Sequence, residues 1–189
     1  MISAIVLAAG KSERMGRPKA LLEFRGRTFL ENILDAISRS SIEHTVVVVG
    51  HHRREIENAI QTVPVIFNPD YEQGMVTSLQ TGIRALPPES IGAFLFLVDH
   101  PVVEAETIEA MIPSVALNRI VQPTFKGRRG HPVIFAAGLY EELLNAPEDK
   151  GARAVVWAHP NEICEVATEE EGCILNLNDP EAFGKISGG

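Results

Sequence analysis

The sequence predicts an α/β fold with three layers, in which helices cover both faces of a mostly parallel, Rossmann-like sheet. Two observations support this prediction. Short apolar runs alternate along the chain with stretches whose apolar residues recur at helical spacing. In addition, residues 94–98 are apolar throughout, which is typical of a central strand that is buried on both faces.

The individual elements follow from composition and periodicity. Strands are predicted where the chain is apolar and rich in β-branched residues, at 2–7, 45–49, 63–67, 94–98, 120–123, 132–135 and 163–166. Amphipathic helices are predicted at residues 28–39 and 75–86. Residues 126–130 predict a turn between two strands, which interrupts the alternation. Because no Gly/Ser-rich linker divides the chain, we expect one domain over residues 1–189.

Composition narrows the classes of protein that fit. The chain has 189 residues, of which 45% are hydrophobic, enough for one sizeable core. A net charge of −8 argues against a nucleic-acid-binding surface. Cys164 and Cys173 have no metal-ligand spacing, and no apolar run approaches the roughly 20 residues of a membrane span. We therefore expect a cytoplasmic protein without nucleic-acid or membrane partners.

The first predicted strand ends in a turn of small residues that is followed by cations. Ala8, Ala9 and Gly10 leave little side-chain bulk, so backbone N–H groups can approach a ligand closely. Glycine also permits the positive φ angles that turn successive N–H groups toward an anion. The basic side chains that follow are Lys11, Arg14, Arg17 and Lys19. The pattern indicates a phosphate site, and an ordinary basic surface loop is the alternative.

Two familiar phosphate loops do not fit this turn. A Walker loop that ends in Gly10-Lys11-Ser12 would need glycine at position 5, where Ile5 stands. The dinucleotide fingerprint G-x-G-x-x-G would need glycine in place of Ala8 and Glu13. The sequence therefore supports neither a P-loop nor an NAD or FAD site.

Residues 7–19 match the pattern L-A-A-G-x-S-x-R-M-G-x-x-K, which resembles the signature of the MobA-like nucleotidyltransferases. Within that family the resemblance is strongest to the molybdenum cofactor cytidylyltransferases. Further segments extend it in the same order over nearly the whole chain, at residues 68–82, 97–101, 130–133, 149–153 and 176–181. The resemblance implies a sheet of the nucleotide-diphospho-sugar transferase type.

This resemblance also implies an activity and a set of nucleotide contacts. The implied reaction transfers CMP from CTP to the phosphate of a molybdopterin-type cofactor, with release of pyrophosphate. Residues 1–103 would bind the nucleotide and residues 104–189 the acceptor. The implied nucleotide-binding residues are Leu7, Ala8, Ala9, Gly10, Lys11, Ser12, Arg14, Lys19, Gly74 and Ser78. Lys19 and Arg14 would act on the phosphates during catalysis, and a solvent-facing hydroxyl is the alternative for Ser78.

Two sequence features bear on which base the nucleotide substrate carries, and they disagree. Ala9, in Leu-Ala-Ala-Gly, is typical of family members that use CTP, whereas glycine there is typical of those that use GTP. The pair Asn176 and Asn178 resembles the GTP-using branch. Residues 130–133 and 149–153 resemble the cytidylyltransferases, and the sequence therefore favours CTP.

Asp99 follows the apolar central strand, where a carboxylate can hold Mg²⁺ on a nucleotide. A turn, or a cap for a helix that starts near Glu104, is the alternative suggested by position alone. The resemblance assigns Asp99 to the metal and to catalysis, and it assigns a second metal contact to Asn178. An N-cap for a helix from Pro180 is the alternative for Asn178 and Asp179.

The resemblance implies that His131 lies near the acceptor, and Arg128 and Arg129 beside it are predicted to bind the acceptor's phosphate. Here too an alternative stays open, because adjacent arginines in a turn are often only solvated. For His51 and His52 a surface role is favoured, since neighbours on an extended chain point to opposite faces. His100 follows the predicted metal ligand Asp99 and could either contact the metal or fill space. The second role is favoured because magnesium prefers oxygen ligands.

Two further functions remain open beside the implied one. A related enzyme could transfer a nucleotide to a different phosphorylated acceptor, such as a sugar or polyol phosphate. A non-catalytic relative could bind a nucleotide or cofactor without turnover. Beyond small-molecule substrates, the resemblance suggests a molybdoenzyme or its chaperone as a protein partner.

Overall fold

A computed structural model describes residues 1–13 and 16–178 of the chain. The strands are β1 (Ile2–Ala8), β2 (Glu23–Phe24), β3 (Arg27–Thr28), β4 (His44–Val49), β5 (Val65–Phe67), β6 (Gly92–Leu97), β7 (Ile120–Phe125), β8 (Arg128–Arg129), β9 (Val133–Ala136) and β10 (Ile163–Ala167). The α-helices are α1 (Phe29–Ser38), α2 (Arg53–Ala59), α3 (Met75–Arg84), α4 (Ala105–Met111), α5 (Tyr140–Leu144) and α6 (Ala152–Ala158). Each predicted strand and helix is present, with its ends shifted by a few residues.

The main sheet has the strand order β10-β7-β9-β6-β1-β4-β5. The strands β6, β1, β4 and β5 are parallel to their neighbours in this series, and β10 is parallel to β7. β9 is antiparallel to both β6 and β7, and the short strand β8 pairs antiparallel with β7. The turn predicted over residues 126–130 is shorter in the structure, because residues 126–127 connect β7 to β8 and Arg128–Arg129 form β8. The sheet is mostly parallel, as predicted.

Two apolar clusters lie on opposite faces of the sheet. Ala4 and Val6 of β1 pack in one cluster with residues of α1, α2 and α4. Ile5 and Leu7 of the same strand pack in the other with residues of α3, α5 and α6. Because side chains alternate between the two faces of a strand, one strand contributes to both clusters. This arrangement confirms the predicted three layers.

Helix α3 lies unusually close to β1. A Cβ atom added to Gly82 would come within 2.4 Å of the Cγ2 atom of Ile5, so this contact requires glycine. The first turn of α3 thereby reaches the carboxyl end of β1, where the small-residue turn begins. The edge formed by the carboxyl ends of β1, β4 and β6 is where open α/β sheets bind ligands.

Within the described residues, no helix is both long and apolar enough to cross a bilayer.

Candidate active site

Two cavities open at the carboxyl ends of β1 and β6. The smaller one has a volume of about 340 Å³ and the larger one about 650 Å³. The residues that line both are Leu7, Met75, Leu97, Asp99 and Asn178. The two predicted metal contacts therefore lie where the cavities meet.

The small-residue turn forms one wall of the smaller cavity. Of the predicted nucleotide contacts, those that line it are Leu7, Ala8, Ala9, Gly10, Ser12, Lys19, Gly74 and Ser78. Lys11 lines a shallower cavity beside it, together with Ser12, Lys19 and Asn178. Arg14 lies outside the described residues. Residues of the turn and of the start of α3 that were predicted to bind the nucleotide therefore line one cavity.

The backbone of the turn differs from the expectation in one respect. Among the described residues of the turn before Gly16, the positive φ angle is at Ser12, at 54°, and not at Gly10. The Oγ atom of Ser12 accepts a hydrogen bond from the backbone N–H of Lys19 at 3.0 Å, which closes the loop. A methyl group at Gly10 would meet no atom of the described residues within 4 Å. Glycine at position 10 therefore leaves open space rather than permitting an unusual backbone conformation.

Lys11 forms an ion pair across the mouth of the turn. Its Nζ lies 2.7 Å from Oε1 of Glu72, in the segment between β5 and α3. This hydrogen bond raises the pKa of Lys11 and lowers the pKa of Glu72. His52 Nε2 lies 3.0 Å from the carbonyl oxygen of Lys11, and the His52 side chain also lines the smaller cavity. The predicted surface role therefore does not fully describe His52, because its side chain also forms part of the cavity wall.

Ser78 is buried at the base of the smaller cavity, with 2% of its surface exposed. Its Oγ accepts a hydrogen bond of 2.9 Å from Nδ2 of Asn68, which is itself fully buried. The alternative of a solvent-facing hydroxyl is therefore wrong. At the start of α3, Gly74 has a φ of 114°, in the region that favours glycine. Asn68 and Gly74 together position the first turn of α3 against the cavity.

Asp99 is held by the segment that leads to the C-terminus. Its Oδ2 atom accepts a hydrogen bond from Nδ2 of Asn176 at 3.2 Å, and its backbone oxygen accepts one from the N–H of Leu177 at 2.7 Å. Helix α4 begins at Ala105 with Glu104 as its N-cap residue. Asp99 is therefore not the cap of that helix. It does lie in the turn that ends β6, where the N–H of His100 donates to the carbonyl oxygen of Leu97 at 2.9 Å, so the turn half of the alternative is confirmed.

Asn178 links this segment to the turn, because its Oδ1 atom accepts a hydrogen bond from Nζ of Lys19. Asp99 and Asn178 both present oxygen atoms, which are the ligands that magnesium prefers. The described residues contain no group of three or more His, Cys, Asp or Glu side chains that could hold a metal ion alone. The donors present fit a cation that takes its other ligands from nucleotide phosphates. The alternative N-cap role that involves Asp179 and Pro180 lies outside the described residues.

His100 and His131 lie side by side in the larger cavity, with ring centroids 4.7 Å apart. Burial is the main cause that lowers the pKa of His131 to about 4. Burial also lowers the pKa of His100, although the charge of Asp99 opposes this shift. Nε2 of His100 lies 3.1 Å from Nδ2 of Asn176, so this histidine does more than fill space. Both rings are therefore neutral near pH 7 and offer polar contacts without charge.

The two predicted acceptor arginines lie elsewhere. Arg128 and Arg129 are exposed on β8, outside the lining of both cavities, and Arg129 pairs with Glu165 at 2.7 Å. Among the described residues, the cations that line the larger cavity are Lys150 and Arg153. Neither residue was among the predicted acceptor contacts, although residues 149–153 resemble the cytidylyltransferases. The available signal was a pair of cations three residues apart around a glycine at the start of a helix.

Comparison with known proteins identifies the family. A model of the MobA-like NTP transferase domain matches residues 4–163. The chain belongs to this family. It is 27% identical over 186 residues to the molybdenum cofactor cytidylyltransferase of Escherichia coli K12, a match that covers 96% of this chain and 93% of that protein. It is 29% identical over 170 residues to nicotine blue oxidoreductase of Paenarthrobacter nicotinovorans, with 84% and 83% covered.

Solved structures confirm the fold of this family member. The crystal structure of Rv0371c from Mycobacterium tuberculosis H37Rv superimposes with a TM-score of 0.89 at 26% identity, covering all of this chain and 97% of that one. A second structure of Rv0371C, in complex with manganese, matches with a TM-score of 0.85 at 24% identity over 98% and 97% of the chains. The α/β architecture predicted from the sequence is thus shared along the entire chain.

Proposed function

We propose that this MobA-like transferase transfers CMP from CTP to the phosphate of a molybdopterin-type acceptor and releases pyrophosphate. One observation carries the proposal: Asp99 and Asn178 line both a cavity formed by the small-residue turn and a larger cavity beside it. Transfer between two bound substrates needs two compartments that meet at the reacting groups. The oxygen donors lie at that junction.

The smaller cavity suits the nucleotide. Its wall of Ala8, Ala9 and Gly10 lets backbone N–H groups approach phosphate oxygens, and Lys19 provides a positive charge at its end. The amine of Lys19 has three donors, so it can keep its bond to Asn178 while it contacts the α-phosphate. Lys11 and Arg14 are assigned to the β- and γ-phosphates.

The reaction is an in-line displacement at the α-phosphorus. A phosphate oxygen of the acceptor forms the new P–O bond, the bond to the β-phosphate bridging oxygen breaks, and pyrophosphate leaves with that electron pair. A phosphate monoester has a second pKa of about 6, so it is largely a dianion at neutral pH and needs no general base. Lys19 and the other cations of the turn stabilise the charge that develops on the phosphates.

We assign the metal contacts to Asp99 and Asn178, which would hold Mg²⁺ together with phosphate oxygens. The bound cation would neutralise phosphate charge during the displacement. The complex of the related Rv0371C with manganese supports the use of a divalent cation. Asn178 supplies a neutral oxygen, so Asp99 provides the only protein charge that we assign to this ion.

The larger cavity suits an acceptor with a bulky heterocycle. Its volume of about 650 Å³ is nearly twice that of the nucleotide cavity, and Leu79, Leu95 and Val76 are among its lining residues. His131, which is neutral, can form hydrogen bonds with a polar ring, and we keep it as an acceptor contact. Lys150 and Arg153 take over the role that the sequence assigned to Arg128 and Arg129. A sugar or polyol phosphate is the alternative acceptor.

CTP is the proposed donor because Ala9, rather than glycine, lines the nucleotide cavity. Ala9 is buried, with 7% of its surface exposed, so its methyl group occupies space in the cavity wall. The match to the cytidylyltransferase of E. coli over 96% of this chain supports the same base. The asparagine pair Asn176 and Asn178, which resembles the GTP-using branch, makes GTP the alternative donor.

The similarity to nicotine blue oxidoreductase favours a second candidate function from another class. The larger cavity, with its leucine walls and neutral imidazoles, could hold an organic molecule that is oxidised or reduced. Against this candidate, the turn after β1 lacks the glycines of a dinucleotide fingerprint at Ala8 and Glu13. Its test is the oxidation of NADH or NADPH in the presence of heteroaromatic acceptors.

The deciding experiment measures pyrophosphate release from each of the four ribonucleoside triphosphates with Mg²⁺ and molybdopterin. Release that is fastest with CTP supports the proposal, whereas a clear preference for GTP overturns the assignment of the base. Release only with sugar or polyol phosphates would identify the alternative acceptor class. If no acceptor and no nucleotide gives release, while nucleotides still bind, the chain is a non-catalytic relative.

A further inference from the structure

Residues 172–178 form a strap that crosses the candidate active site. At its start, Gly172 lies against Val102, where an added Cβ would come within 2.1 Å of the Val102 backbone oxygen. The backbone oxygen of Cys173 then accepts a hydrogen bond of 2.8 Å from the N–H of His131. The strap therefore makes close backbone contacts with the segment that follows β6 and with His131, which lines the larger cavity.

Of the two leucines in the strap, Leu177 is the one that is buried. It is fully buried in a small apolar cluster that is separate from the two main clusters of the sheet. Its buried partners are Leu22, Phe24 and Phe29, which follow the small-residue turn in the chain. The side chain of Leu177 thus attaches the strap to the segment that follows Lys19.

The neighbours of Leu177 contact two different parts of the site. Asn176 donates to Oδ2 of Asp99, at the end of β6, and lies beside His100. Asn178 accepts a hydrogen bond from Lys19, at the end of the turn. The backbone N–H of Leu177 itself bonds to the carbonyl oxygen of Asp99 at 2.7 Å. One buried side chain therefore lies between two amides that contact the two halves of the site.

We propose that Leu177 is a positioning residue, whose burial sets the placement of Asn176 on Asp99 and of Asn178 on Lys19. The proposal rests on the function proposed above, since it concerns the same site. Leu177 lines neither cavity, so it acts through its neighbours and does not touch a substrate. A catalytic group misplaced by about 1 Å can lose on the order of 100-fold in rate, so loss of this anchor reduces turnover.

The test compares Leu177→Ala with Leu139→Ala, which removes an equally buried leucine from the cluster that β1 forms with α3, α5 and α6. For Leu177→Ala we expect kcat for pyrophosphate release to fall at least about tenfold. The KM for the nucleotide is expected to change less, and Leu177→Met is expected to restore most of the rate. Leu139→Ala, compared at the same fraction of folded protein, is expected to keep its kcat. Equal losses of kcat in the two alanine variants would overturn the proposal.

Hydrogen exchange tests the same proposal without any activity. In Leu177→Ala, the peptide that contains residues 172–178 and the amide of His131 are expected to exchange faster than in the wild type and in Leu139→Ala. Unchanged exchange in the strap would overturn the role of Leu177 even if the enzyme is active. Faster exchange in a protein that releases no pyrophosphate would instead refute the proposed function alone. If Leu177→Ala does not fold, Leu177→Val gives a smaller cavity and the same two comparisons.

Discussion

Lys19 and Asn178 are joined by a hydrogen bond from Nζ to Oδ1, although they are 159 positions apart in the chain. The bond closes the nucleotide cavity between the turn after β1 and the strap at residues 172–178. It also engages the amide oxygen that we assign to the metal. The charge on residue 178 should therefore affect both the lysine and the cation.

Asn178→Asp tests this coupling. A carboxylate would add a charged oxygen for the cation and would keep an acceptor for Lys19. We expect the Mg²⁺ concentration that gives half-maximal pyrophosphate release to fall about tenfold. Asn178→Leu, which has a similar size and no oxygen, is expected to raise that concentration. A titration with Mg²⁺ at saturating nucleotide measures both, and equal midpoints in all three proteins would contradict the assignment.

Asp99→Asn tests the carboxylate at the junction. The variant keeps a side-chain acceptor for Asn176 and leaves the backbone bond between Asp99 and Leu177 in place, so the melting temperature should change little. Loss of the assigned protein charge should lower the rate of pyrophosphate release by about 100-fold or more. Single-turnover kinetics with excess Mg²⁺ gives the measurement. A rate near that of the wild type would show that Asp99 does not hold the metal.

Glu72→Gln tests the ion pair at the mouth of the turn. Glu72 bonds to Lys11 at 2.7 Å and therefore competes with phosphate for the lysine. Both side chains are substantially exposed, so the competition is weak, and removing the carboxylate should lower the KM for the nucleotide only about threefold. Lys11→Met is expected to raise the KM. Titrations at low and high salt should show that the effect of Glu72→Gln shrinks with ionic strength. An unchanged KM in both variants would mean that Lys11 does not contact the phosphates.

Sequence patterns predicted seven strands of the main sheet because each of them contains a short apolar run with its own local signal. The two-residue strands β2, β3 and β8 contain no such run and were not predicted. The position of β9 between β6 and β7 has no such signal, since pairing direction depends on contacts between residues far apart in the chain. The phosphate-binding residues of the turn could be predicted from the local sequence, as the strands could. They are consecutive, and the fold needed only to place them at the carboxyl edge of the sheet.

The acceptor side was harder to predict because it depends on which way side chains point. Arg128 and Arg129 precede His131 in the chain, yet pairing with β7 places them on β8 and Arg129 against Glu165. Lys150 and Arg153 line the larger cavity because α6 starts beside the first turns of α3, a contact invisible in the sequence. Asn176 was likewise seen as part of a motif, but its bond to Asp99 required the strap to cross the site.

Gly10→Ala tests whether the open space in the turn is needed for the ligand rather than for the fold. An added methyl group would meet no atom within 4 Å in the part of the chain that the structure describes, so the melting temperature should stay the same. The methyl group would lie where phosphates approach the backbone, and we expect the KM for the nucleotide to rise about tenfold or more. As the opposite case, Gly82→Ala should destabilise the protein by about 1–3 kcal/mol, because its Cβ would overlap Ile5. A destabilised Gly10→Ala variant with normal KM would contradict the prediction.

His159, which lines neither cavity, should make the stability of the protein depend on pH. Its Nε2 lies 2.7 Å from a carboxylate oxygen of Glu142, and its Nδ1 lies 2.8 Å from one of Glu162. These hydrogen bonds raise the pKa of His159 above the ordinary value of 6.5. The nearby charge of Arg119 opposes this shift. Because the pKa is higher in the folded state, the contribution is complete below about pH 6.5 and is lost as pH rises through the raised pKa. We expect the difference in melting temperature between the wild type and His159→Gln to be largest near pH 6 and to shrink by about pH 9. Thermal unfolding at constant ionic strength measures it, with Glu142→Gln as a variant that should flatten the same profile. A difference that stays constant or grows with pH would show that the protonated ring does not stabilise the contact between α5 and the end of α6.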